Sequence, residues 1–179
     1  RIIDVHAHLD HFDFNDDIDQ VIERAEKAGV KVIVANGLNP EANRKVLELS
    51  KRFKIVKAAL GIYPPAALRN ETRDIKEKLN FKDDFDADEE IRFIASHKTK
   101  IVALGECGLD YHMTQEKEEK SDIFRKLIRL SVQIDKPIIV HSRKAEADAV
   151  AMLKEEKAKK VVMHCFNGSL KLVQRIINN

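Results

Sequence analysis

The chain alternates short, continuously apolar segments with amphipathic segments, and this alternation limits its fold more than any other feature. Six apolar segments are short and rich in β-branched residues, which predicts strands. They span Ile2–Leu9, Val30–Ala35, Ile55–Gly61, Ile101–Glu106, Pro137–His141 and Lys160–His164. Between them apolar residues recur at helical spacing, as in Ile18, Val21, Ile22 and Ala25. The pattern predicts an α/β fold with a parallel sheet covered by helices.

Residues that favour helix ends flank several amphipathic segments. Asn15 or Asp16 is the expected N-cap of the first helix, and Gly29 is expected to end it. Asn39–Pro40 fits the N-cap and first position of the second helix, and Ser169 fits the N-cap of the last. These signals place the helices between the predicted strands.

An acidic run precedes the helix that carries Ile91 and Ile94. The run contains Asp83, Asp84, Asp86, Asp88, Glu89 and Glu90. We expect it to be a solvated helix start, because the ordered spacing and central glycine of a calcium-binding EF-hand are absent.

Polar residues at the strand ends distinguish two architectures. A doubly wound sheet is compatible with six strand–helix units, but no glycine-rich phosphate loop follows the first strand. His6 and His8, Glu106, His141 and His164 lie at the C-terminal ends of four different strands, which meet at one mouth in a TIM (β/α)8 barrel. Such a barrel needs eight strands and about 250 residues. We therefore expect one barrel domain over residues 1–179, with two C-terminal βα units missing.

The strand-end residues have the chemistry of metal ligands. Alternate residues of a strand share a face, so Asp4, His6 and His8 are expected to point the same way. Each histidine alone fits a hydrogen-bonded structural role, but four imidazoles and one carboxylate together suit zinc, manganese, iron or nickel. If Glu106 is shared by two ions about 3.5–4 Å apart, the pair can activate water for hydrolysis.

Composition excludes several functional classes. No apolar stretch approaches the length of a membrane span, and the first residues lack the basic segment and apolar run of a signal peptide, so we expect neither feature. The net charge of +2 is too small to indicate a nucleic-acid partner from bulk electrostatics. Two cysteines, Cys107 and Cys165, fit a reducing compartment, so we expect a cytoplasmic protein with both cysteines in its core.

Four segments carry a more specific signal through their order and spacing. They are Asp4–Leu9 (DVHAHL), Gly105–Tyr111 (GECGLDY), Lys136–Arg143 (KPIIVHSR) and His164–Ser169 (HCFNGS). Together they resemble the signature segments of the TatD family of metal-dependent hydrolases. The resemblance implies an amidohydrolase-like TIM barrel, divalent metals and deoxyribonuclease activity, often exonucleolytic on single strands. It also implies the ligands: His6 and His8 for one metal, His141 and His164 for the second, and Glu106 as the bridge.

The sequence departs from the family pattern at two points. The family usually has Gly-x-His-Pro where this chain reads Gly61-Ile62-Tyr63-Pro64. Tyr63 can donate a hydrogen bond to a phosphate, but with an ordinary pKa near 10 it cannot shuttle protons at neutral pH. The family's late aspartate, a metal ligand and candidate general base, has no counterpart before Asn179. We therefore expect the general base to lie outside this sequence.

These observations predict a metal-dependent hydrolase, a deoxyribonuclease that cleaves phosphodiester bonds with two divalent ions (zinc, manganese, magnesium, nickel or iron). Single-stranded DNA is the expected partner, and no membrane is expected. Glu106 would help to activate water, and Arg143 and Tyr63 would hold the phosphate, although Arg143 also fits a salt bridge at the barrel rim. Residues 110–112 fit either substrate contacts or loop packing. Two alternatives stay open: an esterase or amidase, for example on aminoacyl-tRNA, and a catalytically silent scaffold.

Overall fold

The computed structural model of the protein describes residues 2–64, 85–112 and 117–178. Within these ranges strands and helices alternate as predicted, with ends within about two residues of those expected. The strands are β1 (Ile2–Ala7), β2 (Val30–Asn36), β3 (Val56–Leu60), β4 (Ala103–Gly108), β5 (Ile138–His141) and β6 (Val161–Met163). The α-helices are α1 (Ile18–Lys27), α2 (Pro40–Arg52), α3 (Ala87–Ser96), α4 (Lys117–Gln133), α5 (Glu146–Glu155) and α6 (Leu170–Ile177). A short 3₁₀ helix, Phe12–Phe14, follows β1.

The six strands form one parallel sheet whose order follows the sequence, from β1 to β6. A doubly wound sheet reverses its strand order at a switch point, whereas a barrel is wound in one direction. The sequential order is therefore that of a barrel wall. Because all six strands run the same way, their C-terminal ends lie at one edge, which is where the predicted site residues fall.

The core lies between the central strands and the helices that cover them. Leu60 on β3, Leu104 on β4 and Ile138 on β5 are completely buried. Helix α4 packs its apolar side against the sheet, and its residues Leu127 and Ile128 are also buried. Since burying such a side chain stabilises a protein by about 1.5–3 kcal/mol, these contacts hold the central strand ends in place.

Strand β1 is the exception to the buried strands that the sequence predicts. Ile2, Ile3 and Val5 are 54%, 61% and 45% exposed. The reason is positional: among the described residues β1 pairs only with β2 and forms an edge of the sheet. The prediction of a buried first strand was therefore wrong for these three residues.

Helix-end signals were largely confirmed. Asn39 Oδ1 accepts a hydrogen bond from Ala42 N at 2.8 Å, and Ser169 Oγ accepts one from Leu172 N at 3.3 Å. Helix α1 differs, because Asp17 occupies its N-cap position and makes no side-chain capping bond, so the prediction of Asn15 or Asp16 was wrong. The chain leaves that helix through Gly29, whose φ of +91° favours glycine.

The acidic run before α3 is only partly solvated. Asp83 and Asp84 lie outside the described residues. Asp86 caps the helix, since its Oδ1 accepts hydrogen bonds from Asp88 N at 2.8 Å and Glu89 N at 3.0 Å. Glu90 was wrongly expected in solvent: it is 2% exposed because α3 packs it against two polar side chains of α2.

Two further observations concern the cysteines and the membrane. Cys107 and Cys165 are both free thiols. Cys107 is buried as predicted, but Cys165 is exposed, because β6 ends at Met163 and strand alternation no longer applies two residues later. In the described part of the chain, no helix combines the length and the apolar character that crossing a membrane requires.

Candidate metal centre

Glu106 lies near the C-terminal end of β4 and is the centre of the site. Its backbone N–H donates to the Gly37 carbonyl at 3.0 Å, beyond the end of β2. The end of β3 approaches just as closely, since a Cβ on Gly61 would lie 2.3 Å from the Glu106 carbonyl oxygen. Two neighbouring strand ends thus fix the backbone, and the Glu106 side chain is only 5% exposed.

Four imidazoles surround the Glu106 carboxylate, two on each oxygen. Oε2 lies 3.3 Å from His6 Nε2 and 3.1 Å from His8 Nε2. Oε1 lies 2.9 Å from His141 Nδ1 and 3.0 Å from His164 Nε2. The structure therefore brings together all five side chains that the sequence predicts as metal ligands.

The outer nitrogens of two rings also have partners. His8 Nδ1 is 3.0 Å from the Asn36 carbonyl, and His141 Nε2 is 2.9 Å from Asp110 Oδ2. Because the carbonyl and both carboxylates only accept, each of these rings has an acceptor at both of its nitrogens. A neutral ring that donates outward directs a lone pair at a Glu106 oxygen. Facing lone pairs repel unless a positive charge lies between them.

The electrostatics of the site are strongly negative. Burial alone would raise the pKa of Glu106, but hydrogen bonds from the four imidazoles, led by His141, hold that pKa far below its usual range. Burial would lower the pKa of His141, yet its bonds to Asp110 and Glu106 raise it to about 9. The pKa of His8 is raised as well, since Glu106 outweighs the opposing effect of burial. Glu106 is therefore ionised, and the site favours positive charge.

These features fit a divalent metal. The donor set combines imidazole nitrogens with a carboxylate, as zinc, manganese, iron and nickel prefer. His6, Glu106 and His164 offer ligand atoms that all lie within 4.8 Å of one another. This group contains one histidine from each of the two predicted metal pairs. The rings of these two histidines, His6 and His164, are stacked with their centroids 3.7 Å apart. The residues present therefore fit a divalent metal ion.

The other predicted residues lie at different distances from this cluster. Asp4 is exposed and its Oδ1 accepts from His6 N at 3.0 Å, so it does not join the ligands. The Tyr63 hydroxyl donates to Asp110 Oδ2 at 3.1 Å, and burial followed by the charge of Asp110 raises the Tyr63 pKa well above its usual range. Arg143 is exposed, and its positive charge partly opposes the rise in the Tyr63 pKa. Both residues therefore lie on the His141 side of the site.

Sequence reasoning missed the residues that orient the imidazoles. Asp110 was expected to make substrate contacts or to pack within its loop, whereas it is fully buried and contacts His141 directly. Strand alternation offered a signal, since Asp110 follows Glu106 by four residues and would therefore lie on the same face of an extended strand. Asn36 gave no signal in the sequence, because it contacts His8 through its backbone carbonyl, a group that every residue type has.

Comparisons with known proteins identify the family. The family model described as TatD related DNase matches residues 3–179. The chain belongs to the TatD family. It is 34% identical over 176 residues to the uncharacterized metal-dependent hydrolase YabD of Bacillus subtilis, a match that covers 97% of this chain and 64% of that protein. It is 32% identical over 173 residues to the human deoxyribonuclease TATDN3, with 93% and 61% covered. The chain thus spans less than two thirds of the length of these TatD relatives.

A solved TatD structure has the same fold. The TatD homologue YjjV of Escherichia coli superposes with a TM-score of 0.80 at 27% sequence identity, covering 99% of this chain and 64% of that one. With the sequential parallel sheet, this likeness confirms the predicted α/β barrel class. The division into one domain with two missing βα units stays a prediction.

Proposed function

We propose that this chain carries the metal centre of a hydrolase that cleaves phosphodiester bonds in DNA. The arrangement of the Glu106 carboxylate carries the proposal, because one oxygen faces His6 and His8 while the other faces His141 and His164. A carboxylate with a pair of imidazoles on each oxygen is suited to bridge two ions. The name of the human relative, a deoxyribonuclease, supports DNA as the substrate class.

The proposed ligands are His6 and His8 for one ion, His141 and His164 for the other, and Glu106 for both. Zinc, manganese, magnesium, nickel and iron are the candidate ions, because ligand type alone does not select among them. Bound there, divalent ions would lower the pKa of a water molecule and offset the negative charge that develops on a phosphodiester.

The remaining side chains have supporting tasks. Asp110 and the Asn36 carbonyl hold two imidazoles by their outer nitrogens, which leaves the inner nitrogens free to bind. Arg143 is proposed to hold a phosphate oxygen, since it is exposed two residues beyond His141 at the end of β5 and its guanidinium can bind bidentately. Tyr63 stays a predicted phosphate contact, although its proton is directed at Asp110. The general-base aspartate is proposed to lie outside residues 1–179.

A single-stranded DNA preference and a cytoplasmic location also stay predictions. Because the net charge is only +2, we expect local groups such as Arg143, and not the overall charge of the chain, to bind an anionic substrate. An esterase or amidase acting on aminoacyl-tRNA would use the same activated water and is separated from a nuclease only by its substrate.

The test is degradation of end-labelled single-stranded DNA by the purified full-length protein with magnesium, manganese or zinc. We expect metal-dependent cleavage that is lost in Glu106→Ala and kept in Glu48→Ala, a control at an exposed glutamate on α2. Parallel reactions contain duplex DNA and a charged tRNA. A folded, metal-loaded protein that cleaves only the tRNA ester is an esterase, and one that retains no divalent ion and cleaves nothing is the silent scaffold.

A further inference from the structure

A buried chain of hydrogen bonds extends outward from the metal centre through three side chains. It runs from Glu106 to His141, then to Asp110, and ends at the Tyr63 hydroxyl. We propose that Asp110, supported by Tyr63, is a positioning residue that fixes His141 with its Nδ1 atom toward the metal. This inference rests on the proposed function, because it assigns a task around the same metal centre.

The contacts of Asp110 use both of its carboxylate oxygens as acceptors. Oδ2 accepts from His141 Nε2 at 2.9 Å and from the Tyr63 hydroxyl at 3.1 Å. Oδ1 accepts from the His112 backbone N–H at 2.9 Å. Asp110 itself is completely buried, so protein groups rather than water satisfy it. A buried carboxylate that accepts through both oxygens is held in one orientation.

That orientation favours one tautomer of His141. Asp110 and Glu106 both only accept, but three other imidazoles already share Glu106, so the proton of the neutral ring lies on Nε2, facing Asp110, and the lone pair lies on Nδ1. His141 Nδ1 is the atom that faces Glu106 Oε1, at 2.9 Å. A carboxylate behind a metal-binding histidine raises the basicity of the ligand and fixes its ring, and its removal typically weakens metal binding about 10- to 100-fold.

Tyr63 supports the pair of Asp110 and His141 through two contacts. Its ring packs edge-on against His141, with the two centroids 5.0 Å apart, while its hydroxyl donates to the same Oδ2 atom. Tyr63 therefore restrains both members of the pair. This role also explains why the hydroxyl proton of Tyr63 points toward Asp110 and not toward solvent.

An asparagine at position 110 cannot reproduce these contacts. Its amide has one acceptor and one donor group, whereas both oxygens of Asp110 accept. If the amide nitrogen faces His141, it favours the tautomer with the proton on Nδ1, and if it faces the His112 N–H, two donors meet. Asp110→Asn therefore separates a tautomer-fixing role from simple filling of space.

The chain offers a matched control pair. The Tyr111 hydroxyl donates to Asp148 Oδ2 at 2.7 Å, so it is also a tyrosine–aspartate bond. Asp148 is exposed on α5, and no histidine is among its partners in the described part of the chain. Asp148→Asn makes the same chemical change without touching the proposed site.

The experiment is a calorimetric titration of the metal-free, full-length protein with cobalt(II), with thermal melting to check the fold. We expect Asp110→Asn to weaken cobalt binding about 10- to 100-fold. We expect Tyr63→Phe to weaken it about 3- to 10-fold and Asp148→Asn to change it less than about twofold. In addition, ¹⁵N NMR of the histidine side chains above pH 9, where His141 is largely neutral, should place the His141 proton on Nε2 in the wild type and move it in Asp110→Asn.

The outcomes separate this inference from the proposed function. Wild-type affinity and an unchanged His141 tautomer in a folded Asp110→Asn variant overturn the positioning role while leaving the metal centre intact. If Asp110→Asn does not fold, Tyr63→Phe decides: unchanged cobalt affinity overturns the role, and a weaker affinity supports it. If the wild type binds no cobalt, the proposed function fails, and the tautomer measurement still decides what Asp110 does to His141.

Discussion

Asn43 on α2 satisfies both backbone polar groups of Gly61 just beyond the end of β3. Its Nδ2 donates to the Gly61 carbonyl at 2.9 Å, and its Oδ1 accepts from Gly61 N at 3.1 Å. Asn43 is completely buried, so water does not compete for these bonds. Because the backbone of Gly61 lies against that of Glu106, a helix on the outside of the sheet supports the strand end that bears the central carboxylate.

Asn43→Ala should therefore destabilise the protein by about 2–4 kcal/mol, since it leaves a buried N–H and a buried C=O without partners. The measurement is urea denaturation of the full-length protein. Asn167→Ala, at an exposed asparagine, serves as the control and should change the free energy of unfolding by less than about 0.5 kcal/mol. Equal stabilities of the two variants would show that the Gly61 contacts contribute nothing.

A second prediction concerns the pairing of Glu90 with Arg44. The Glu90 side chain is 3% exposed, and both of its oxygens lie 2.5 Å from Arg44 Nη1. Arg44→Met should cost about 1–3 kcal/mol, because it leaves a buried carboxylate with fewer donors. Arg44 is 46% exposed, so water replaces part of the lost interaction and keeps the cost within that range.

A double-mutant cycle isolates this pair. In a Glu90→Gln background, Arg44→Met should cost less than in the wild type by about 1 kcal/mol, since no buried charge is left behind. Denaturation midpoints and slopes of the four proteins give the coupling. The same cost in both backgrounds would mean that Arg44 does not act through Glu90. It would then act through its packing on Phe93, since Arg44 Cζ lies 3.6 Å from the centroid of that ring.

A third prediction follows from the pH dependence of an ion-pair cluster between α4 and α5. Hydrogen bonds from Arg129 and Arg125 lower the pKa of Glu156 to about 2. A carboxylate whose pKa is lower in the folded state stabilises that state above its unfolded pKa, near 4.5, and the stabilisation is lost as the pH falls toward 2. Thermal midpoints of the wild type and Glu156→Gln should thus differ at pH 7, begin to converge as the pH falls below about 4.5, and meet near pH 2.

Glu48→Gln is the control for this series, because Glu48 is exposed and has no ion pair with another described residue. Its midpoint should follow the wild type at every pH. A difference between Glu156→Gln and the wild type that stays constant down to pH 3 would contradict the assignment of the shift to Glu156.

The sequence predicted what depends on order along the chain. Strand periodicity and the parallel class together imply that His6, Glu106, His141 and His164 meet at one sheet edge, and the structure places them there. No long-range partner has to be known for this inference, because parallel strands align their C-terminal ends. The helix cap at Asn39 was equally local, since its bond spans three residues.

Features that depend on contacts between distant segments were missed. Glu90 resembled a solvated acidic residue because its partner Asn43 lies 47 residues earlier. The role of Asp110 depends on His141, 31 residues later. The exposure of Ile3 depends on which strands flank β1, and apolar composition alone cannot reveal an edge strand.

The last prediction compares two glycines that are restricted for different reasons. A Cβ on Gly61 would lie 2.3 Å from the Glu106 carbonyl oxygen and 2.5 Å from the Gly105 carbonyl carbon, and both are backbone atoms that cannot rotate away. Gly61→Ala should therefore cost about 2–4 kcal/mol and also weaken cobalt binding, because relief of the clash displaces Glu106. Gly29 has open space around it and is restricted only by its φ of +91°. Gly29→Ala should cost about 1–2 kcal/mol with unchanged cobalt affinity.

Urea denaturation and cobalt calorimetry on both glycine variants test this comparison. A general loss of stability would affect the two variants alike, whereas displacement of Glu106 affects metal binding only in Gly61→Ala. If Gly61→Ala loses stability but keeps the wild-type cobalt affinity, then the close contact between the ends of β3 and β4 does not position the carboxylate. Weaker binding in Gly61→Ala alone would assign to that contact the placement of Glu106 among its four imidazoles.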